Sequence, residues 1–184
     1  MKEKKEIRNE ILKIRKELSA EKVRKSSAII CNIIRVLDIY RASDDICLYM
    51  PVRNEVDVTY LAESGKKDGK RIWLPAVKDG TMSFYIYDEK TSFVRGSFGI
   101  REPDGGEMLI PGTGTLVVMP GAVFSEDHDR IGYGGGYYDI FLGNNPGCRT
   151  VAVCYDFQIL PHLPSMEHDV KPEIIVSDER VMIR

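Results

Sequence analysis

Leu116-Val117-Val118-Met119 and, ten residues later, Asp129-Arg130-Ile131-Gly132-Tyr133-Gly134-Gly135-Gly136-Tyr137-Tyr138-Asp139-Ile140-Phe141-Leu142 are the stretches that decide the fold. The first is apolar, β-branched and short, as in a strand buried on both faces. After Gly136 the spacing of Tyr138, Phe141 and Leu142 predicts a helix. The four glycines between them let the backbone take positive φ and approach an anion closely. Successive N–H groups can then converge on a phosphate, helped by the positive end of the following helix. Arg130 supplies a permanent cation at one end of the loop, and Asp139 a hard oxygen ligand suited to magnesium at the other. These residues describe a nucleotide-triphosphate site. They could equally make a flexible connection with two packed tyrosines, and an acid such as Asp139 in a first helical turn stabilises the helix dipole without any metal. The loop alone leaves both readings open.

Working outward, Ile7, Ile11, Ile14 and Leu18 form the stripe of an amphipathic helix, and Ser19 reads as the N-cap of the next, carrying Val23, Ser27, Ile30, Ile34 and Leu37. Strands are predicted at Ile46–Met50, stopped by Pro51, at Arg71–Leu74 before Pro75, at Met82–Tyr87, at Leu116–Met119, at Val151–Cys154 and at Ile174–Val176. A further helix is expected over Thr59–Ser64, and Thr91–Gly114 reads as a long irregular connection. Alternating helices and short apolar strands predict an α/β fold with a parallel or mixed sheet covered on both faces. In such folds ligands gather beyond the carboxyl ends of the strands, here Pro51–Asp57, Pro75–Val77, Pro120–Tyr138 and Tyr155–Gln158. No repeat or linker interrupts residues 1–184, so one domain is expected.

At 184 residues, such a chain buries roughly 70% of its unfolded surface. With 26 basic against 28 acidic residues, its charge argues against a general nucleic-acid or membrane-surface binder. The N-terminus lacks an apolar signal core and no run approaches membrane length, so a cytoplasmic protein without membrane attachment is expected. Cys31, Cys47, Cys148 and Cys154 form no CxxC pair and read as reduced, buried thiols. No stripe stands out for self-association, leaving a monomer as the default. Familiar phosphate motifs fail: Gly112-Thr113-Gly114 precedes a strand instead of following one, and no GxxxxGK[ST] occurs. Asp127 to Gly132 imitates a calcium loop but has Ile131 where an oxygen ligand is needed.

Outside the loop, Lys4 and Arg8 lie one helical turn apart and share a face, which by itself describes a solvated surface. Glu55 falls at a predicted strand end, where a carboxylate can accept from a ligand amine or amide. His162 and His168 imply no triad or metal motif, and Asp169 alone is unremarkable.

Together these segments resemble the 5-formyltetrahydrofolate cyclo-ligase family. The resemblance runs nearly end to end, through Lys4 and Arg8, Tyr49-Met50-Pro51-Val52-Arg53-Asn54-Glu55-Val56-Asp57, Phe98-Gly99-Ile100-Arg101-Glu102-Pro103, Met119-Pro120-Gly121-Ala122-Val123-Phe124, Arg130 to Asp139, and His168-Asp169-Val170-Lys171. It implies a three-layer α/β/α fold with a mostly parallel mixed sheet, of the sugar-phosphate isomerase and CoA-transferase type. It implies ATP- and magnesium-dependent closure of 5-formyltetrahydrofolate to 5,10-methenyltetrahydrofolate. Carried over residue by residue, Lys4, Arg8, Arg130, Ile131, Gly132, Tyr133, Gly134, Gly135, Gly136, Tyr137 and Tyr138 would hold ATP. Met50, Glu55, Phe98, Tyr133, Gly134, Gly135, Gly136 and Tyr137 would contact folate. Asp139 and Asp169 would serve magnesium, and Arg130 and Tyr137 would be catalytic. One departure stands out: many members of the family carry a basic residue in mid-loop, where this chain has Gly135. A non-catalytic regulator would not require both carboxylates.

Overall fold

A computed structural model describes residues 3–96, 99–164 and 169–184. Strands β1 (Asp45–Cys47), β2 (Arg71–Lys78), β6 (Thr115–Met119), β9 (Arg149–Val153) and β11 (Ile174–Val176) pair in parallel, in the order β11-β9-β6-β1-β2. Antiparallel strands β3 (Thr81–Ile86) and β12 (Val181–Ile183) close the two edges. Because side chains alternate across a strand, each parallel strand feeds two cores. Ile46, Leu116, Val118, Val151, Val153 and Val176 pack on the face covered by helices α2 (Ala20–Val36), α3 (Asp38–Arg41) and α4 (Thr59–Lys67). Cys47, Val117, Met119, Ala152 and Ile175 pack on the opposite face, with Phe141 and Leu142 of α5 (Tyr137–Asn144). The result is the expected α/β/α layering with a mostly parallel sheet.

The boundaries follow local chemistry. Ser19 caps α2, its hydroxyl accepting from the Lys22 N–H at 3.2 Å. Strand β2 continues through Pro75 instead of stopping before it. Trp73 and Val77, of the same parity as Pro75, direct backbone groups away from β3: the Trp73 carbonyl accepts from Leu48 N–H, and Val77 N–H donates to Glu102. Beyond Trp73, β1 no longer pairs there, so the N–H that proline lacks is missed by no ladder. The supposed irregular connection holds an antiparallel hairpin of β4 (Phe93–Arg95) and β5 (Arg101–Pro103). Two-residue β8 (Arg130–Ile131) pairs with β7 (Val123–Ser125), which also pairs with β10 (Ile159–Leu160). Such short pieces carry too few residues to show a period.

Helix α1 (Lys4–Lys16) departs from expectation in a way that matters for the site. Its buried residues are Ile11 and Arg15, whereas Ile14 is 51% exposed. The face turned inward carries Lys4, Arg8, Ile11 and Arg15. Ile11 joins Ala122, Val123, Ile131 and Leu163 in a third, smaller core beside β7 and β8. No helix among the described residues is long and apolar enough to cross a membrane.

Candidate active site

The carboxyl ends of the parallel strands converge as the topology requires. Beyond β1 the chain turns at Val52–Glu55, where Arg53 and Asn54 take left-handed backbone conformations at φ 51° and 58°. The Asn54 amide holds the turn by donating to the carbonyls of Arg15, Lys16 and Leu18 at 3.2–3.3 Å. This turn presents Glu55, which is buried. One carboxylate oxygen accepts from Val52 N–H at 2.9 Å and the other from the Tyr133 hydroxyl. Tyr133 in turn accepts from Arg15 Nη1 at 2.7 Å. Burial pushes the Glu55 carboxyl above its ordinary range, against the opposing pull of Tyr133, Arg15, the Val52 N–H and Arg53. Tyr133 is likewise pushed up, first by burial and then by the Glu55 charge. Tyr133 therefore ties the glycine loop to the end of β1.

The loop's other side is an arrangement of cations and acids. Arg130 lies buried in β8, its Nη2 donating to both Asp139 oxygens at 2.9 Å, and Asp139 also accepts from Val170 N–H at 3.1 Å. Lys4 pairs with Asp169 at 2.6 Å. A side chain at Gly134 would lie 3.5 Å from Arg8 Nη1, so the Arg8 guanidinium reaches the loop. Gly134 and Gly136 adopt φ of 101° and 65°, conformations open to glycine at little cost. Gly136 is the N-cap of α5 and offers no side-chain acceptor, which leaves the helix's first N–H groups directed at the loop. A Cβ at Gly135 would sit 2.6 Å from Cε2 of Tyr137. The missing mid-loop side chain thus makes room for the Tyr137 ring.

Two cavities include residues assigned to the site from sequence. One, of about 110 Å³, is lined by Met50 with Tyr49, Leu74, Tyr87, Phe93 and Arg101. The Arg101 guanidinium lies 4.5 Å from the centre of the Phe93 ring. The other, of about 230 Å³, is bounded by Phe84, Met108, Tyr137, Ile140 and Phe141. Met50 and Tyr137, both assigned to folate from sequence, therefore line different cavities. Phe98 and His168 lie outside the described residues.

The sequence profile of the 5-formyltetrahydrofolate cyclo-ligase family matches residues 1–178. The chain belongs to that family. A probable 5-formyltetrahydrofolate cyclo-ligase of Schizosaccharomyces pombe is 30% identical over 174 residues, covering 85% of each chain. A 5,10-methenyltetrahydrofolate synthetase structure from Aquifex aeolicus is 32% identical and superposes with a TM-score of 0.87 over 98% of this chain and 92% of that one. The corresponding synthetase from Mycoplasma pneumoniae is 25% identical, with a TM-score of 0.78 over 97% of this chain and 100% of that one.

The donor set suits the groups that membership in the cyclo-ligase family suggests. Arg130 Nε is buried and has no acceptor among the described residues, which fits an anionic ligand at the loop. Asp139 and Asp169 are brought to one place through the Asp139–Val170 bond, although each is engaged by a cation. No group of three or more metal-ligating side chains occurs among the described residues. Magnesium beside a nucleotide is held by one or two carboxylates plus phosphate oxygens, so two acids are an adequate protein contribution. Arg15, Phe93 and Arg101 were missed as site residues. For Arg15 the signal existed: it lies seven residues from Arg8 and eleven from Lys4, the spacing of one helical face. Phe93 and Arg101 gave none, because only the hairpin brings them to Met50.

Proposed function

We propose that this chain catalyses the ATP- and magnesium-dependent conversion of 5-formyltetrahydrofolate to 5,10-methenyltetrahydrofolate, releasing ADP and phosphate. The observation that carries the reading is the two-sidedness of the glycine loop. Cations and two carboxylates stand on one side, and the Glu55–Tyr133 pair, on the turn that follows Met50, stands on the other. Residues 1–178, matched as one family unit, act as a single domain in this reading.

A formamide oxygen is a poor leaving group and needs activation. The formyl oxygen attacks the γ-phosphorus, the bond to the β-phosphate oxygen breaks, and ADP departs. N10 then attacks the formyl carbon, its proton is lost, and the carbon–oxygen bond breaks with phosphate leaving. No enzyme nucleophile is required, so the protein's task is positioning and charge neutralisation. Lys4, Arg8, Arg130 and the loop N–H groups hold the phosphates. Tyr137, over Gly135, shapes the loop beside the reacting groups. Magnesium, held by Asp139 and Asp169, would neutralise phosphate charge. Glu55 accepts from the flat heterocycle's N–H donors, and Met50 and Tyr133 supply apolar walls. The four buried free thiols suit a reducing, cytoplasmic setting.

The direct test mixes the protein with 5-formyltetrahydrofolate, ATP and magnesium and follows methenyl absorbance in the near ultraviolet. An ATP-dependent rise is expected; its absence with folded protein would remove this function. Asp139→Asn should retain the fold and lose turnover by about 10²-fold, and full activity in that variant would refute the magnesium assignment.

A further inference from the structure

A surface helix that turns an arginine inward and an isoleucine outward is doing something costly. Arg15 is 1% exposed. Removing a guanidinium from water costs several kcal/mol, and an apolar residue of similar volume would commonly serve stability as well or better. Ile14 was available next in line, yet it faces solvent.

What Arg15 touches explains the arrangement. Its Nε donates to the carbonyl of Arg53 at 3.2 Å, its Nη1 to the Gly121 carbonyl at 3.4 Å and to the Tyr133 hydroxyl at 2.7 Å. The same Nη1 lies 3.9 Å from Glu55 Oε1, and Nη2 has no acceptor among the described residues. One side chain thus bridges the turn after β1, the segment after β6 and the glycine loop. The turn it holds is strained. Non-glycine residues are disfavoured in the left-handed region, arginine more than asparagine, and two in succession persist only where surrounding contacts enforce them. Arg53, whose carbonyl Arg15 engages, is one of the two, and Glu55 follows directly.

We propose that Arg15 is the positioning residue of the Glu55 carboxylate: it fixes the strained turn that presents Glu55, orients Tyr133 as a donor to it, and sets a guanidinium 3.9 Å from its Oε1. The value of that arrangement to catalysis rests on the function proposed above. The groups facing Glu55 are few. Arg15 comes from α1, Arg53 from the same turn, Tyr133 from the loop, Tyr49 from the end of β1, Tyr138 from α5, and the Tyr155 hydroxyl meets the Glu55 carbonyl at 3.3 Å. Arg15 and Arg53 are the cations among them, and Arg15 has the larger influence. Without it, burial is opposed mainly by a phenol and a backbone amide, and the carboxylate takes up a proton at higher pH.

The test compares Arg15→Met and Arg15→Lys with the wild type in the methenyl assay across pH 5.5 to 8.5, alongside carboxyl-carbon NMR titration of Glu55 without substrate. In Arg15→Met the Glu55 titration and the acidic limb of kcat/KM for 5-formyltetrahydrofolate should both move up by about one unit, a tenfold change in proton affinity. The KM for ATP should change little, and in a Glu55→Gln background Arg15→Met should shift no limb. Arg15→Lys keeps a charge but cannot bond all three segments. It should leave the limb in place while lowering kcat/KM roughly tenfold, which keeps the idea testable should Arg15→Met fail to fold. An Arg15→Met enzyme that loses stability but keeps the wild-type titration and limb overturns the proposal, as does Arg15→Lys with wild-type kcat/KM. A wild-type chain inactive on 5-formyltetrahydrofolate whose Glu55 titration still shifts in Arg15→Met overturns the proposed reaction and supports the hold of Arg15 on Glu55.

Discussion

Three acid–base groups flank the glycine loop, and they differ in depth. Arg15, Tyr133 and Glu55 are locked together through hydrogen bonds that also engage three backbone groups, on the turn after β1 and at Gly121. Lys4–Asp169 is an ion pair whose side chains are 30% and 16% exposed. Arg130–Asp139 lies between, with a buried arginine and a partly exposed acid. The difference teaches what each cluster can do when a ligand arrives. A pair still in contact with water gains little net stability, so its cation can turn to a phosphate and its acid to magnesium at small cost. The buried unit cannot rearrange cheaply, because any separated charge would stay out of water. One side of the loop is built to exchange partners and the other to stay as it is.

Breaking the intermediate pair should have the largest effect. Arg130→Ala removes a buried cation and strands Asp139, so stability should fall by about 3 kcal/mol and ATP use by about 10²–10³-fold, measured by urea unfolding and by kinetics at varied ATP. Folate affinity should fall less; the reverse order would contradict the division between the two sides. Glu55→Gln tests the buried unit through pH. Burial holds the folded-state carboxyl above its ordinary value of 4.5. Its charge therefore costs no stability below that value, and the cost grows as pH rises toward the folded pKa. Relative to wild type, the Gln variant should lack this decline when unfolding is followed from pH 4 to 8, while its KM for 5-formyltetrahydrofolate rises roughly tenfold. Equal slopes would mean that Glu55 is not the strained charge of the site. Lys4→Ala sharpens the contrast: stability should stay within about 1 kcal/mol while the KM for ATP rises severalfold. The smallest effect is expected from Gly135→Ala, whose Cβ must displace the Tyr137 ring. A change below about 1 kcal/mol in stability with a few-fold rise in KM would fit, whereas an unchanged KM would detach Tyr137 from the site.

Much of the site was legible because its chemistry is local. Arg130, the glycines and Asp139 lie within ten residues, and a loop that must take positive φ and cap a helix advertises itself in glycine. The parallel core strands were legible because burial on both faces leaves short apolar runs. Arg15 was legible only as a member of the Lys4–Arg8 face, because helical periodicity counts apolar residues and treats an arginine as surface; the packing of α1 on β7 and β8 shows that this polar face points inward. Phe93 and Arg101 were hidden in a hairpin whose strands are three residues each, too short for alternation to rise above chance.

The sequence by itself determined the layered α/β architecture, the family, and the position of the glycine loop, since each rests on patterns within one strand, one helix or one motif. The tertiary structure alone decided which cations reach which acids. It set Lys4 on Asp169, Arg130 on Asp139 and Arg15 on the Glu55–Tyr133 pair, joining residues up to 165 positions apart. The physical reason is that charge pairing depends on distance and burial, which the topology sets where the carboxyl ends of β1 and β6 meet helix α1. Distance along the chain does not enter.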